Sequence, residues 1–229
     1  MSDLSPSPRT RVRRHPERAH DDRGQLFALL DEALVCHLGV VVDGAPAVIP
    51  TAYGVDPAGP DAGGTLYVHG SVAARSLQAA LTGQVCVTVT VLDGLVLARS
   101  AFHHSMNYRC AIIYGTGRLV QEETEKRHAL DLVVDHVVPH RSQTLRPHRR
   151  KELAATAVIA FALHEASVKQ RAGAPVDDGA DVESGGWAGV LPLRLSTDGV
   201  VTSPDAVGSR VPGDVRQRVT QLQDTMPAG

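Results

Sequence analysis

The sequence has few aromatic residues and almost no net charge. Aromatic residues make up 3% of the 229 positions, and the formal net charge is −2 at pH 7. A chain so close to neutrality lacks the strongly basic balance that is typical of nucleic-acid-binding proteins. It also lacks an apolar run of the about 20 residues that a membrane-spanning helix needs, and its N-terminus lacks the apolar core of a secretory signal. These absences predict a protein with no nucleic-acid partner and no membrane partner.

Cysteine is also scarce, and its three positions show no metal-ligand spacing. Cys36, Cys86 and Cys110 each lie in an apolar, strand-like segment. An odd number of cysteines without a paired pattern is typical of reduced thiols in a protein core. Because such thiols persist in reducing compartments, the sequence predicts a cytoplasmic protein.

Motifs that identify several common enzyme classes are missing. The sequence contains neither a Walker-type phosphate loop nor a dinucleotide-binding fingerprint, and it has no Gly-x-Ser-x-Gly elbow. His136 and His140 have the spacing of helical metal ligands, but a proline interrupts the helix and no carboxylate completes a zinc site. Ser105 follows His103 and His104, yet no third catalytic partner can be identified. Neither a metal site nor hydrolytic chemistry is therefore predicted.

The sequence does contain a series of apolar segments with strand character. Residues 85–91 alternate strictly between valine and the residues Cys86, Thr88 and Thr90, which predicts a strand with one face in a core. Asp43-Gly44 and Asp93-Gly94 are hairpin signals. The predicted strands cover residues 33–42, 45–55, 65–70, 85–92, 95–99, 108–121, 157–163 and 189–195. These strands and their short connections predict a mainly β protein, a closed or nearly closed β-barrel with flanking helices.

Few helices are predicted. A stripe of Leu130, Val133, Val134 and Val137, with glutamates at its start, predicts a helix over residues 122–138. Shorter helices are expected after Asp21 or Asp22, over 71–81 and at 213–223.

The ends of the chain differ in composition from its centre. Residues 1–23 are rich in proline and arginine, which predicts a solvated arm that could instead wrap a partner subunit. The predicted organisation is an N-terminal arm at 1–23, a barrel domain at 24–200, and a C-terminal tail or short helix at 201–229.

The segment LYVHGSVAARSL, residues 66–77, changes from strand to helix character at His69-Gly70-Ser71. We expect Ser71 to cap the helix, and Arg75 follows one turn later. A helix start offers unpaired N–H groups and the positive end of a dipole, which suit an anion. The residues alone leave two interpretations open: an anion site, or an ordinary cap beside a solvated arginine.

This segment, together with VCVTVTVLDGLVLARSAFHHSMNYR and WAGVLPLRL, resembles the pyridoxamine 5′-phosphate oxidase-like flavin-binding proteins. The resemblance extends from about residue 11 to residue 195 and is greatest to the branch of the nitroimidazole-resistance reductases. It implies an FMN-binding split β-barrel that forms a homodimer, with the flavin sites at the interface.

The resemblance also implies roles for particular residues. In the family a hydroxyl and a basic side chain hold the FMN phosphate where the third strand passes into the helix, which implies Ser71 and Arg75 here. His69 and Gly70 are implied beside the flavin, with His69 as the candidate catalytic residue. The other implied cofactor-binding residues are Pro50, Thr51, Tyr53, Asn107, Arg109, Cys110, Lys169 and Trp187. Cys110 stands where a polar residue is expected, so core packing is the stronger interpretation for it.

The function implied by the resemblance is that of an oxidoreductase, in which flavin N5 transfers a hydride to a small molecule such as a nitroaromatic or a quinone. The residues after Leu195 do not match the substrate-binding end of the vitamin B6 oxidases, so that activity is not expected. The alternative is a flavin or haem carrier without turnover, since related split barrels bind haem, and a deazaflavin is a third possible cofactor. Possible axial ligands of a haem are His37, His69, His103, His104 and His164.

Overall fold

A computed structural model describes residues 3–4, 7–206 and 208–224. Within these residues the chain forms eleven strands and six α-helices. The strands are β1 (Ala19–His20), β2 (Cys36–Val42), β3 (Ala45–Thr51), β4 (Tyr53–Asp56), β5 (Thr65–Ser71), β6 (Val85–Leu97), β7 (Ser105–Gly115), β8 (Arg118–Leu119), β9 (Thr156–Ala162), β10 (Ala166–Arg171) and β11 (Gly189–Pro192). The helices are α1 (Arg23–Glu32), α2 (Arg75–Thr82), α3 (Glu123–Val137), α4 (Arg150–Ala155), α5 (Gly179–Glu183) and α6 (Gly213–Asp224).

The strands form two antiparallel sheets. The large sheet has the order β1-β10-β7-β6-β2-β3, and β11 also pairs with β6. The small sheet has the order β4-β5-β9-β8. Buried side chains from both sheets, from α1 and from α2 meet in one core that includes Leu26, Leu38, Leu66, Val87 and Phe161. The predicted mainly β fold with flanking helices is confirmed, and its barrel is split because the two sheets do not close into one.

The chain passes between the sheets at two places that the sequence analysis assigned to continuous strands. The predicted strand 45–55 is divided into β3 in the large sheet and β4 in the small one. The predicted strand 108–121 is divided into β7 and β8 around Thr116-Gly117. A Cβ atom on Gly117 would lie 2.5 Å from Ile159 Cγ2, so only glycine fits at this second crossing.

The second predicted hairpin is wrong. Asp93 and Gly94 lie inside β6, where the pairing with β7 shifts register between Leu92 and Gly94. The reason is a tertiary contact, because β11 pairs along this part of β6. A Cβ atom on Gly94 would lie 3.1 Å from the Leu191 carbonyl oxygen, so this glycine serves strand packing and not a turn.

Helix α3 forms as predicted and packs against the small sheet. Glu122 caps it, since its Oε2 accepts a hydrogen bond of 2.6 Å from the Glu125 N–H. A Cβ atom on Gly54 of β4 would lie 2.8 Å from Val133 N, so strand and helix are in close contact there. Tyr67 of β5 lies in a second, smaller core on this side of the sheet, among Val120, Ala129, Val158 and Ala160.

Most residues in the described part of the N-terminal arm are exposed, as expected, but the arm is also attached to the barrel at several points. Leu4 is buried in the main core. Arg9 donates to the Glu165 carboxylate, and β1 pairs with β10 at the edge of the large sheet. At the other end, α6 forms where a terminal helix was predicted. Among the described helices, none combines the length and the apolar character that crossing a bilayer requires.

Candidate functional site

The strand-to-helix junction at His69-Gly70-Ser71 lies at the end of β5, but the predicted cap is wrong. Helix α2 begins at Arg75, with Ala74 as its N-cap residue and without a side-chain cap. The Ser71 carbonyl accepts from the Ala74 N–H at 2.9 Å, and the Ser71 hydroxyl accepts from the Ala73 N–H at 3.2 Å. These bonds form a turn before the helix, so the helix starts one turn later than expected.

The start of α2 combines features that suit an anion. No side chain caps it, and its first turn holds no acidic residue. Arg75 is 70% exposed, and its guanidinium pairs with the Asp43 carboxylate in the β2–β3 turn. Ser71 is exposed on the preceding turn. An exposed arginine, a hydroxyl and an uncapped helix start thus lie within five residues of one another, an arrangement that suits an anion.

Gly70 has a packing role at the same junction. A Cβ atom on this residue would lie 3.0 Å from Leu77 Cδ1 in α2. The glycine therefore lets the Leu77 side chain of α2 pack closely against β5.

His69 points away from the main core into a cavity between the small sheet and α3. Its Nδ1 is shielded from solvent and has no hydrogen-bond partner among the residues that the structure describes. The cavity has a volume of about 250 Å³. Four apolar side chains and three polar ones complete its wall: Leu130, Val133, Val134, Leu153, His148, Glu152 and Thr156. A buried imidazole nitrogen without a partner in such a cavity is unusual, because unpaired polar atoms in protein interiors are costly.

The cavity opens into an outer groove of about 500 Å³. Val134, His148 and Glu152 line both spaces, so the two are contiguous. Two polar pairs form the rim: His148 Nε2 lies 3.0 Å from Asp131 Oδ1, and Arg146 Nη1 lies 3.0 Å from Glu152 Oε2. The inner cavity is mainly apolar, and its charged groups are confined to the mouth.

Burial sets the charge of the inner cavity. Desolvation lowers the pKa of His69 below its ordinary value of 6.5, so the ring is neutral at neutral pH. At the mouth, the Arg146 guanidinium and then the Arg149 N–H lower the pKa of Glu152 to about 2, which keeps this carboxylate ionised. The neutral His69 imidazole therefore faces the inner cavity, and the Arg146–Glu152 ion pair lies at its mouth.

A second cleft lies between the N-terminal arm and strands β7 and β10. Its volume is about 720 Å³. Its cationic residues are Arg14, Arg18, Lys169 and Arg171, and its aromatic side chains include Phe102 and Tyr108. Lys169 Nζ donates to the Arg14 carbonyl at 3.1 Å, so the arm is held against the sheet here.

A sequence profile described as pyridoxamine 5′-phosphate oxidase matches residues 22–170. The chain belongs to this family. A comparison with curated proteins gave no match.

Solved structures agree with the family assignment. The flavocytochrome Anf3 from Azotobacter vinelandii superposes with a TM-score of 0.85 at 36% identity, over 93% of this chain and 97% of that one. The FAD and heme binding protein from Mycobacterium smegmatis gives a TM-score of 0.80 at 37% identity, over 87% and 96%. A candidate 5-nitroimidazole antibiotic resistance protein from Bacteroides thetaiotaomicron shares the fold, with a TM-score of 0.53 at 21% identity over 66% and 85%.

The flavin-binding residues implied by the family resemblance lie in separate places. Ser71 and Arg75 lie at the start of α2, whereas Asn107 and Lys169 lie at or beside the second cleft. Asn107 Oδ1 accepts from Arg171 Nη1 at 2.5 Å, and its amide nitrogen donates to the Gly173 carbonyl at 3.1 Å. This asparagine therefore fixes the segment after β10.

Two implied residues are engaged by the protein itself. Arg109 Nη2 lies 2.6 Å from Asp93 Oδ1 and 2.7 Å from Glu32 Oε1, so its guanidinium is held between two carboxylates. Tyr53 is fully buried in the main core. Its hydroxyl lies 2.7 Å from the carbonyl oxygens of both Leu30 and Ala33. Only the backbone of Tyr53 is left to contact a ligand.

The other implied residues are dispersed. Pro50 and Thr51 lie at the end of β3, opposite His37 and Cys36 of β2. Cys110 is half-buried beside Lys169, and burial raises the pKa of its thiol, in line with a packing role. Trp187 is 71% exposed before β11.

Sequence reasoning missed most of the wall around His69. The stripe on α3 was recognised, and Leu130, Val133 and Val134 on that stripe line the cavity. His148 lies in residues 140–150, whose basic and polar composition indicates a connector, and Leu153 lies in α4, which follows it and was not predicted. No local pattern shows that this connector folds over the end of β5.

Proposed function

We propose that this chain is a flavin- and haem-binding redox protein. In this proposal the flavin phosphate binds at the start of α2, and the haem occupies the cavity beside His69. The observation that carries the proposal is the buried Nδ1 of His69, which has no protein partner in the described structure and lines a largely apolar cavity. The two relatives at 36% and 37% identity, a flavocytochrome and a FAD and heme binding protein, support it.

The cavity and its groove fit the chemistry of a haem. A neutral imidazole is the form that binds iron, and burial keeps His69 neutral at physiological pH. Leu130, Val133 and Leu153 offer an apolar wall for a macrocycle. Arg127 and Arg146 line the outer groove, where each could exchange its present carboxylate partner, Glu123 or Glu152, for a propionate.

The start of α2 fits the phosphate of a flavin nucleotide. Arg75 supplies a permanent positive charge, Ser71 a hydroxyl, and the uncapped helix start its N–H groups. We propose FMN as the flavin, as the family resemblance implies. The bound groups would supply electron transfer, with hydride chemistry at flavin N5. The protein's own contribution is to orient both groups from the end of β5 and the start of α2, to exclude water around His69 and to keep that ring neutral.

A second candidate function is that of an FMN-dependent oxidoreductase without haem, acting on a small molecule such as a nitroaromatic or a quinone. The cleft with Arg14, Lys169 and Arg171 favours this alternative, because its cations and its Tyr108 side chain could bind an anionic or aromatic substrate. His69, the catalytic candidate, lines the separate inner cavity, so it would not contact a substrate bound in this cleft.

We further propose that the chain acts as a homodimer. Met106, Leu95 and Leu191 are in lateral register across β7, β6 and β11, which places them on one face of the large sheet. Met106 is 53% and Leu191 51% exposed. A row of partly exposed apolar side chains across three strands is typical of a surface that a partner covers.

Absorption spectroscopy of the purified full-length protein, after titration with haemin and with FMN, tests the proposed function. The parent protein should give a Soret band with haemin and the two visible bands of bound flavin. His69→Ala should weaken haem binding by at least about tenfold, since even second-shell changes at metal sites cost that much. Its FMN affinity should remain close to that of the parent.

His37→Ala is the matched control, because His37 is exposed on β2 and was also a possible ligand. It should bind haem like the parent. A parent protein that binds FMN but no haem would contradict the proposal and leave the oxidoreductase alternative. Equal haem affinity in His69→Ala and the parent would remove His69 as the ligand. Chromatography of the extracted cofactor separates FMN from FAD and from a deazaflavin.

A further inference from the structure

A cluster of three potential metal ligands lies at the rim of the second cleft, apart from His69. His103 ends a short 3₁₀ turn, Ala101–His103, between β6 and β7. Asp178 is the N-cap residue of α5, and Asp181 lies in the first turn of that helix. One ligand atom of each side chain lies within 4.8 Å of the other two.

The Nε2 atom of the His103 ring has no hydrogen-bond partner at this cluster. This atom is shielded from solvent and makes no hydrogen bond within the described part of the chain. The same atom lies 3.3 Å from Asp178 Oδ2. A neutral ring with its lone pair at Nε2 would be repelled by a carboxylate at this distance. A hydrogen on Nε2, or a cation bound between the two atoms, would make this contact favourable.

The backbone around the cluster is fixed by a neighbouring ion pair. The Asp177 side chain is 2% exposed and pairs with Arg99. Its carboxylate accepts from the Arg99 N–H at 2.8 Å and from Arg99 Nη1 at 2.9 Å. Arg99 Nε also donates to the Gly186 carbonyl at 3.1 Å. These bonds hold the segment before α5 against the end of β6, so the three ligands are brought together by the fold.

We propose that His103, Asp178 and Asp181 bind a divalent transition-metal ion. Metal–nitrogen and metal–oxygen bonds of about 2.0–2.2 Å place neighbouring ligand atoms about 3.0–3.6 Å apart, so rotation of the two aspartate side chains can close the site. One imidazole and two carboxylates suit zinc, manganese or ferrous iron, whereas magnesium and calcium prefer oxygen alone.

Three protein ligands leave at least one coordination position open. His103 and Asp178 line the second cleft, where four cationic side chains also lie. A metal ion here could therefore bind an anionic small molecule together with those cations. The His104 ring is directed elsewhere, since its Nδ1 lies 2.8 Å from the Ser100 carbonyl oxygen.

Calorimetric titration of the chelator-treated full chain with zinc chloride tests this site. The parent should bind one zinc ion with a dissociation constant below the about 1 mM that corresponds to marginal affinity. His103→Ala and Asp181→Asn should each weaken binding by at least about tenfold. Asp181→Asn keeps the size of a partly exposed side chain, so it tests the proposal even if loss of His103 disturbs the fold. His104→Ala is the matched control and should bind zinc like the parent.

Absence of zinc binding by the parent would overturn the proposal in favour of a direct contact between the His103 ring and the Asp178 carboxylate. Unchanged affinity in both His103→Ala and Asp181→Asn would overturn it as well, because the zinc would then be bound elsewhere. Cobalt substitution adds an independent signal: visible d–d bands should be present in the parent and lost in His103→Ala. Neither measurement depends on flavin or haem, so its result tests the metal site independently of the proposed function.

Discussion

Tyr53 and His136 share one hydrogen-bond acceptor. Tyr53 Oη and His136 Nε2 each lie 2.7 Å from the carbonyl oxygen of Ala33, at the end of α1. The two rings lie 4.4 Å apart between centroids. Strand β4, helix α1 and helix α3 are therefore joined at one point, which fixes the helix that forms the outer wall of the His69 cavity.

Replacing Tyr53 by phenylalanine should destabilise the protein without reducing flavin affinity. The variant loses one buried hydroxyl and leaves the carbonyl oxygen of Leu30 without that donor, which should lower the free energy of unfolding by about 1–3 kcal/mol. Urea unfolding measures the loss, and FMN titration measures the affinity. A flavin affinity reduced tenfold at unchanged stability would show instead that the hydroxyl serves the cofactor.

His136 should make the protein less stable as the pH falls below 7. Desolvation lowers its pKa, and this outweighs the opposing effect of the bond to Ala33. Below the ordinary value of 6.5 the unfolded chain binds a proton that the folded ring resists, so stability is lost as the pH falls from about 6.5 towards the folded pKa. Burial of His69 acts in the same direction.

The melting temperature at pH 7.5 and at pH 5.5 measures this effect. His136→Gln should be less stable at both values but should show a smaller difference between them than the parent. His37→Gln, at an exposed position, should keep the parent's difference. An identical difference in His136→Gln and the parent would contradict the role of His136.

Arg75→Ala should weaken FMN binding by about tenfold or more, because a hydrogen bond to a charged group contributes about 1.5–3 kcal/mol. Asp43→Asn is the matched variant: it removes the carboxylate that pairs with Arg75, so it should bind FMN at least as tightly as the parent. Fluorescence titration measures both. If Arg75→Ala retains the parent's dissociation constant, the phosphate is bound elsewhere.

If the chain forms the proposed homodimer, light scattering should give a molecular mass of about twice the 24.3 kDa of one chain. Leu191→Lys, which places a charge in the apolar row on the large sheet, should shift the equilibrium towards the monomer. Val201→Lys is a suitable control, because Val201 is 97% exposed away from any strand. A monomeric parent protein at micromolar concentration with FMN bound would exclude the dimer.

The elements with strong local patterns could be predicted from the sequence. The alternating valines predicted the correct first residue of β6. The apolar stripe on α3 predicted both ends of that helix to within one residue. Asp43-Gly44 forms the expected turn, and Asp43 has the positive φ of 51° that such turns need. The same dipeptide signal failed at Asp93-Gly94, because pairing with the distant β11 overrides a local turn preference.

The candidate site could be predicted only in part for the same reason. The change from strand to helix character within residues 66–77 predicted that His69 and Arg75 lie at a junction of strand and helix. The carboxylates that hold Arg109 come from Glu32 and Asp93, and the carbonyl groups that bind Tyr53 come from α1. Partners so distant along the chain have no signature in the sequence around either residue.

The pairing of β1 with β10 has a consequence for how the protein is handled. Ala19 and His20 cover an edge of the large sheet opposite Lys169 and Val168, and Leu4 anchors the same segment in the core. An uncovered strand edge is a template on which further chains can add. We therefore expect the N-terminal segment to limit aggregation through the β10 edge. Since a tag at the N-terminus could disturb this pairing, an affinity tag is better attached at the C-terminus.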